Sequence, residues 1–338
     1  MKIINLEKNK RNFEKKLLAA VKAIKNGDLV VIPTETVYGL AADCFNVKAV
    51  NKIFLAKRRP YNDPLIVHIS DISHLDLLVE KVDTRVKKII DIFWPGPLTL
   101  VLKKKKQVPD IVTACLDTVA VRMPEEEITR KFISLCEVPL AAPSANIFGR
   151  TSSTLLSHII EDFKNQKDIK YVIYNGKPKY GIESTILDCT SYPFKVLRYG
   201  ALEIEKIVAK THFKILETNK ITTKKIAPGM YKKHYAPLKN TFVVKNLIEY
   251  LRKNKNNQNK IVICSNKTSL NIRKFDKNIM TIPYGDTLKD ISKNLYLCLR
   301  LADNIEGETI LIEPVENKGL GKAIMDRIIK ASSGKWIE

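Results

Sequence analysis

Hydroxyl and cationic side chains recur in this chain in short groups beside apolar runs. The run at 29–32 leads into Thr34, Glu35, Thr36 and Tyr38. Lys57 and Arg59 close a segment of helical periodicity and are stopped by Pro60. Thr118 and Arg122 lie four residues apart in the alternating stretch DTVAVRMP, so both fall on one face of a strand. Ser144 and Asn146 flank Ala145 after an AAP stretch. Ser152 falls near the start of a further helical pattern, where backbone N–H groups favour anions. Ser184 and Thr185 precede one apolar run, and Arg198 ends another. Singly, each has an ordinary structural reading as an ion pair, a turn residue or a helix cap. Together they give four cations and several hydroxyls at the ends of predicted elements, with few carboxylates nearby. That set suits a triphosphate with its Mg²⁺, where positioning and charge stabilisation carry most of the catalysis.

Other chemistries lack their residues. There is no GxxxxGK[ST] phosphate loop and no HExxH. The GxG at Gly319-Leu320-Gly321 has Ile324 where a dinucleotide fingerprint needs its third glycine, and reads as a tight turn into a helix. The five histidines (His68, His74, His158, His212 and His234) are too dispersed to propose a metal site. Six scattered cysteines without a CxxC pair read as reduced, buried thiols of a cytosolic protein.

The elements that must position these groups follow from periodicity. Phe13, Leu17, Val21 and Ile24 share a helical face, and Asn26-Gly27 stops that helix. A strand at 29–32 then meets a turn at Gly39, a helix over 47–59 and a strand at 65–69. Short helices are predicted near 73–79 and 83–93, the second capped by Asp83. WPGPLTLVL runs from a turn into a strand, and the four lysines at 103–106 read as a solvated turn. A strand at 117–124, a helix at 128–136, and a strand and loop at 139–153 come next. A helix at 154–163 has Ser152 or Ser153 as its cap. Strands at 171–174, 184–188 and 195–198 and a helix at 202–209 complete the first domain. Periodicity fades over 210–238, which contains APGMYKKHYAP. Beyond it, strands at 242–244, 261–264, 280–283 and 309–312 alternate with helices at 247–252, 288–302 and 322–331. That alternation argues for a parallel, doubly wound sheet. The tract KNKNNQNK at 253–260 reads as a polar loop.

The bulk numbers agree with two globular domains. The chain has 338 residues, 45% of them hydrophobic. Lys plus Arg outnumber Asp plus Glu by 58 to 36, a net charge of +22. The excess points to polyanion partners, nucleotide phosphates or tRNA, and leaves room for direct RNA contact. Lys/Asn/Ile-rich stretches offer a purely compositional origin for the same charge. The N-terminus lacks the apolar core of a secretory signal, and no stretch approaches the roughly 18 apolar residues of a membrane span. A soluble, cytoplasmic protein without membrane contact is expected.

PTETVYGL, the Lys57-x-Arg59-Pro60 element, PLIVHI, WPGPLTLVL, DTVAVRMP, AAPSAN and ESTILD stand in this order across 13–209. They resemble the YrdC-type domain of the L-threonylcarbamoyladenylate synthase family. APGMYKKHYAP and GLGKAIMDRIIKAS resemble the linker and C-terminal domain of the family's long, two-domain form. The resemblance implies a YrdC-like twisted α/β catalytic domain over 10–209. An interdomain linker or lid over 210–238 and a smaller Rossmann-like parallel α/β domain over 239–338 complete the implied architecture.

The resemblance also implies an activity. L-threonine, bicarbonate or CO₂, and ATP with Mg²⁺ become threonylcarbamoyl-AMP and pyrophosphate. A separate tRNA threonylcarbamoyl transferase then uses the product to modify tRNA next to the anticodon. By resemblance, Thr36, His68, Arg122, Ala142 and Ser184 hold threonine. Lys57, Arg59, Asp63, Thr118, Ser144, Asn146, Ser152 and Arg198 contact ATP, and His234 or Tyr235 reaches over the nucleotide. Asp63 stands where the family often has Asn or Lys. A carboxylate repels a triphosphate unless Mg²⁺ lies between, so Asp63 is assigned to ATP or to its metal. Tyr199 replaces the usual Pro after Arg198. Two rivals share the domain: an RNA-binding module without catalysis, and a carbamoyl-transfer module of hydrogenase-maturation type, against which the missing CxxC counts.

Overall fold

A computed structural model describes residues 1–7, 12–217, 234–254 and 259–338. The chain divides into two compact units. The first takes in Met1–Phe148, Ser153–Lys179 and the described residues over 183–217. The second takes in Gly149–Ser152, Tyr180–Ile182 and the described residues over 234–338.

Among the described residues of the first unit, one sheet contains eleven strands. These are β1 (Lys2–Asn5), β2 (Leu29–Ile32), β3 (Gly39–Asp43), β4 (Ile66–His68), β5 (Leu98–Lys103), β6 (Thr118–Arg122), β7 (Leu140–Ala141), β8 (Ile169–Tyr174), β9 (Thr185–Asp188), β10 (Phe194–Arg198) and β11 (Ile215–Glu217). Their order across the sheet is β1-β8-β2-β3-β7-β4-β6-β5-β9-β10-β11. The helices are α1 (Phe13–Lys25), α2 (Val47–Lys57), α3 (Leu75–Leu78), α4 (Thr84–Phe93), α5 (Asp110–Thr113), α6 (Glu127–Cys136), α7 (Leu156–Phe163) and α8 (Ile204–Thr211).

Strand β2 shows how the sheet is covered. Its side chains alternate between two cores. Val30 and Ile32 join Leu17, Val21 and Ile24 of α1 and Phe132 and Ile133 of α6. Leu29 and Val31 join Val50, Ile53 and Phe54 of α2 and Ile89 and Ile90 of α4. A strand buried on both faces reads as a continuous apolar run, which is how LVVI stands in the sequence.

The described strands depart from expectation at one place that matters for the site. Gly39 does not turn the chain; it opens β3, antiparallel to β2, with Ile32 opposite Gly39. GLAAD is poor in β-branched residues, so its own propensity hides a strand that pairing on both sides imposes. Because β2 and β7 both run antiparallel to β3, and β4 runs antiparallel to β7, the carboxyl ends of β2 and β4 point opposite ways. The rule that ligands of parallel sheets sit at the carboxyl ends of the strands therefore does not place the site.

Helix α7 also starts later than expected. Its N-cap is Leu155, and neither Ser152 nor Ser153 caps it. Asp83 does cap α4, accepting from the Arg85 N–H. Lys104 pairs with Asp110 at 2.5 Å and Lys105 bonds the Asp76 carbonyl at 2.5 Å, so the lysine run is tied down as a turn.

The second unit is a parallel sheet ordered β14-β13-β15-β12-β16. Its strands are β12 (Asn240–Val244), β13 (Lys260–Cys264), β14 (Met280–Pro283), β15 (Thr309–Ile312) and β16 (Trp336–Ile337). Helices α9 (Leu247–Lys253), α10 (Asn266–Phe275), α11 (Leu288–Asn304) and α12 (Leu320–Ala331) connect them. Helix α10 escapes the periodicity reading because NKTSLNIRKF carries only a thin apolar stripe; Ser265 caps it by accepting from the Thr268 N–H.

Most of the expected linker falls outside the described residues, as does the middle of the 253–260 loop. Cys115 is exposed, against the expectation of burial; the other five cysteines are buried and free. Among the described residues no helix is long and apolar enough to cross a membrane.

Candidate active site

Arg122, at the end of β6, is the hub of the first unit's buried polar residues. Its Nη2 pairs with Glu35 Oε1 at 2.6 Å, its Nη1 donates to Thr36 Oγ1 at 2.9 Å, and its Nε donates to the Gly96 carbonyl at 3.2 Å. A guanidinium has five N–H donors, so one remains on each terminal nitrogen. The loop that meets it is stiffened from within. Thr34 Oγ1 donates to the Val37 carbonyl and accepts from the Thr36 and Val37 N–H groups. Since the Thr34 proton is used on Val37, the 2.7 Å contact between the two hydroxyls has Thr36 as donor, and the two N–H groups, both at 3.2 Å, share the other Thr34 lone pair. Thr36 then accepts from Arg122 and keeps one lone pair. Thr129 anchors the start of the loop by donating to the Pro33 carbonyl.

His68 ends β4 directly beside Arg122, its partner in the parallel register. Its Nδ1 lies 3.3 Å from the Ile66 carbonyl, which makes Nδ1 the donor and leaves Nε2 as acceptor. Burial, reinforced by the Arg122 charge, pushes its pKa down to about 3, so the ring is neutral. The same Ile66 carbonyl accepts the Ala142 N–H at 2.9 Å, which ties the Ala142 backbone to β4.

The second group forms where α2 ends. Arg58 takes the left-handed conformation at φ 53°, which breaks the helix and turns Lys57 and Arg59 inward. Lys57 Nζ donates to the Ser144 carbonyl at 2.5 Å and to the Asn146 carbonyl at 2.6 Å. Desolvation, with the charge of Arg59 adding to it, lowers the Lys57 pKa well below the usual lysine range. Arg59 bonds the Asp63 and Pro64 carbonyls and forms a 2.9 Å ion pair with the fully buried Asp63. The carboxylate that would repel a triphosphate is thus neutralised within its own helix-end loop. Ser144 pairs by a β-bridge with Gly39, and the Ala145 N–H donates to the Tyr38 carbonyl at 2.7 Å. The 144–146 loop is therefore stitched to the 34–38 loop.

The third group joins Ser184 and Arg198. Arg198 Nε and Nη2 both donate to the Ser184 carbonyl, at 3.1 and 2.9 Å, and Nη2 also reaches Ser184 Oγ at 3.1 Å. Thr99 of β5, fully buried, places its hydroxyl 2.7 Å from Ser184 Oγ.

Of the remaining expected residues, one lies in the first unit and three in the second. Thr118 begins β6 and so lies about 13 Å of strand rise from Arg122. Ser152, His234 and Tyr235 belong to the second unit. There Tyr235 stacks on Tyr296 with ring centroids 5.5 Å apart, and Arg327 lies 5.3 Å from its ring centroid. Among the described residues no group of three or more His, Cys, Asp or Glu is placed to hold a metal ion. A cavity of about 340 Å³ is lined by Thr34, Glu35 and Glu125–Glu127 among others. It includes none of Thr36, His68, Arg122 or Ser184, and its surplus of carboxylates disfavours a triphosphate.

Two members of these groups were not singled out for a role by the sequence. Glu35 was visible in the PTET run, but only the fold reveals that it pairs with Arg122, 87 residues away. Thr99 sits inside WPGPLTLVL and looks like an ordinary strand residue until Ser184 is brought beside it.

Comparison with known proteins bears on the same regions. Residues 22–200 match the Sua5/YciO/YrdC family model, described as Telomere recombination. Residues 200–333 match the model described as Threonylcarbamoyl-AMP synthase, C-terminal domain. The chain is 40% identical over 347 residues to the threonylcarbamoyl-AMP synthase of Pyrococcus abyssi, covering 99% of each. It is 33% identical over 331 residues to that of Bacillus subtilis, covering 94% of this chain and 93% of that one. Among solved structures, P. abyssi Sua5 complexed with L-threonine matches with a TM-score of 0.90 at 40% identity, covering 100% of this chain and 99% of that one.

Proposed function

This chain belongs to the threonylcarbamoyl-AMP synthase family, and on that premise we propose that it condenses L-threonine, bicarbonate or CO₂, and ATP. Membership makes it an enzyme of the nucleotidyltransferase type. In the proposed reaction the threonine amine, deprotonated, adds to CO₂ to form a carbamate. A carbamate oxygen then attacks the α-phosphorus of ATP, and pyrophosphate leaves with the electron pair of the broken P–O bond. The product is threonylcarbamoyl-AMP, consumed in the cytoplasm by a separate transferase acting on tRNA.

The observation that carries this reading is the Arg122 hub. Its two remaining N–H donors suit the threonine carboxylate, the Thr36 lone pair suits a donor on the same substrate, and His68 Nε2 adds a second acceptor. The related P. abyssi protein, solved with L-threonine, supports a threonine site in this fold. For ATP, the cations Lys57, Arg59 and Arg198, with Thr118, Ser144, Asn146, Ser152, His234 and Tyr235, are the proposed contacts. Mg²⁺ arrives on the nucleotide; Asp63, ion-paired to Arg59, is not required to hold it. The carbamate reverts in water, so ordered loops that exclude solvent serve the reaction directly.

The test is pyrophosphate release with each component omitted in turn. Release that needs threonine, bicarbonate and ATP together is expected. Release that proceeds at the full rate without threonine would remove the proposal.

A further inference from the structure

We infer that Thr99 is a positioning residue that presents the Ser184 hydroxyl as a hydrogen-bond donor to an anionic oxygen of the threonine substrate. This rests on the reading of Ser184 as a threonine contact and deepens it. Ser184 Oγ accepts from Arg198 Nη2 at 3.1 Å and lies 2.7 Å from Thr99 Oγ1. Two hydroxyls that share one hydrogen bond have one O–H left over. Thr99 is in the middle of a packed sheet, fully buried, and Ser184 is its hydroxyl's one partner among the described residues. Were Ser184 the donor, the Thr99 O–H would be a buried donor with no acceptor among the described residues, the costlier arrangement.

With Thr99 as donor, the books of Ser184 close differently. Arg198 and Thr99 fill both of its lone pairs, and its own O–H is the single function left. Ser184 sits on the loop ahead of β9, where the Thr185 N–H bonds the Pro97 carbonyl at 3.0 Å and fixes the strand start beside β5. A serine so placed recognises an acceptor, a carboxylate or carbamate oxygen, and rejects an ammonium group. Thr36 is complementary: it retains a lone pair and recognises a donor. The two hydroxyls thereby read groups of opposite hydrogen-bonding character on the same substrate, Ser184 an acceptor and Thr36 a donor.

The experiment is steady-state pyrophosphate release by the full-length protein, with threonine varied at saturating ATP and ATP varied at saturating threonine. Thr99→Val keeps the shape and removes the hydroxyl. It is expected to raise the KM for threonine about tenfold, the size of one lost hydrogen bond, and to leave the KM for ATP unchanged. Thr99→Ser, which keeps the hydroxyl and loses the methyl, is expected to restore the threonine KM; Thr99→Ala serves in place of valine if valine disturbs folding. Adding Thr99→Val to Ser184→Ala is expected to cost nothing further. A wild-type threonine KM in Thr99→Val, or a serine variant as impaired as the valine one, overturns the inference. If wild-type release ignores threonine altogether, the parent reading fails and this one falls with it. Threonine-dependent release with an unaffected valine variant sinks this inference alone.

Discussion

Arg122 and Glu35 are both nearly inaccessible to solvent, and their 2.6 Å pair is the most consequential buried charge contact of the site. A buried ion pair is a weak source of net stability, but removing one partner leaves the other charged and unmatched. Glu35→Ala is therefore expected to lower unfolding stability by about 3–5 kcal/mol in urea titration. A variant as stable as the parent would show that Arg122 finds its counter-charge elsewhere. His68 gives a second prediction, in pH. Its folded pKa of about 3 lies below the ordinary value of 6.5, so the unfolded chain binds the extra proton. The stability contributed by the neutral ring is full above pH 6.5 and is lost as pH falls toward 3. His68→Gln is expected to lose less stability than the parent between pH 7 and 4. Parallel pH profiles for the two proteins would contradict the burial of a neutral ring.

At the scale of elements, the end of α2 organises the cations proposed to face the phosphates. The helix stops because Arg58 turns left-handed, and that turn brings Lys57 and Arg59 to one side while Arg58 stays exposed. A β-branched residue resists this conformation and glycine accepts it freely. Arg58→Val is expected to destabilise by roughly 1–2 kcal/mol, and Arg58→Gly to hold or raise stability, by chemical denaturation. Equal stability of the two variants would mean the turn is not under strain. Legibility differed among elements for similar physical reasons. Helices α1 and α4 were readable from their apolar stripes and caps. Strand β3 was not, because Gly and Ala carry no strand preference and its pairing partners lie elsewhere in the sequence. Helix α10 was missed because its buried face is partly Thr and Ser.

At the scale of the molecule, the α/β architecture and the parallel sheet of the second unit were legible from the alternation of strand and helix patterns. The site was legible as a set of residue types but not as a set of contacts. Lys57 illustrates the gap: expected as a cation that contacts ATP, it is found holding the 144–146 loop by two carbonyls. Glu35 and Thr99 illustrate it from the other side, since their importance arises from partners 87 and 85 residues away. The net charge of +22 remains a property of the whole surface, and two of the four clustered lysines are tied to local partners. The central claim, that threonine, a carbonate carbon and AMP are joined in one molecule, is tested most directly by mass spectrometry of the reaction mixture supplied with ¹³C-bicarbonate. The expected result is a threonylcarbamoyl-AMP peak that carries the label and requires threonine. AMP and pyrophosphate formed with no labelled adduct would contradict the account.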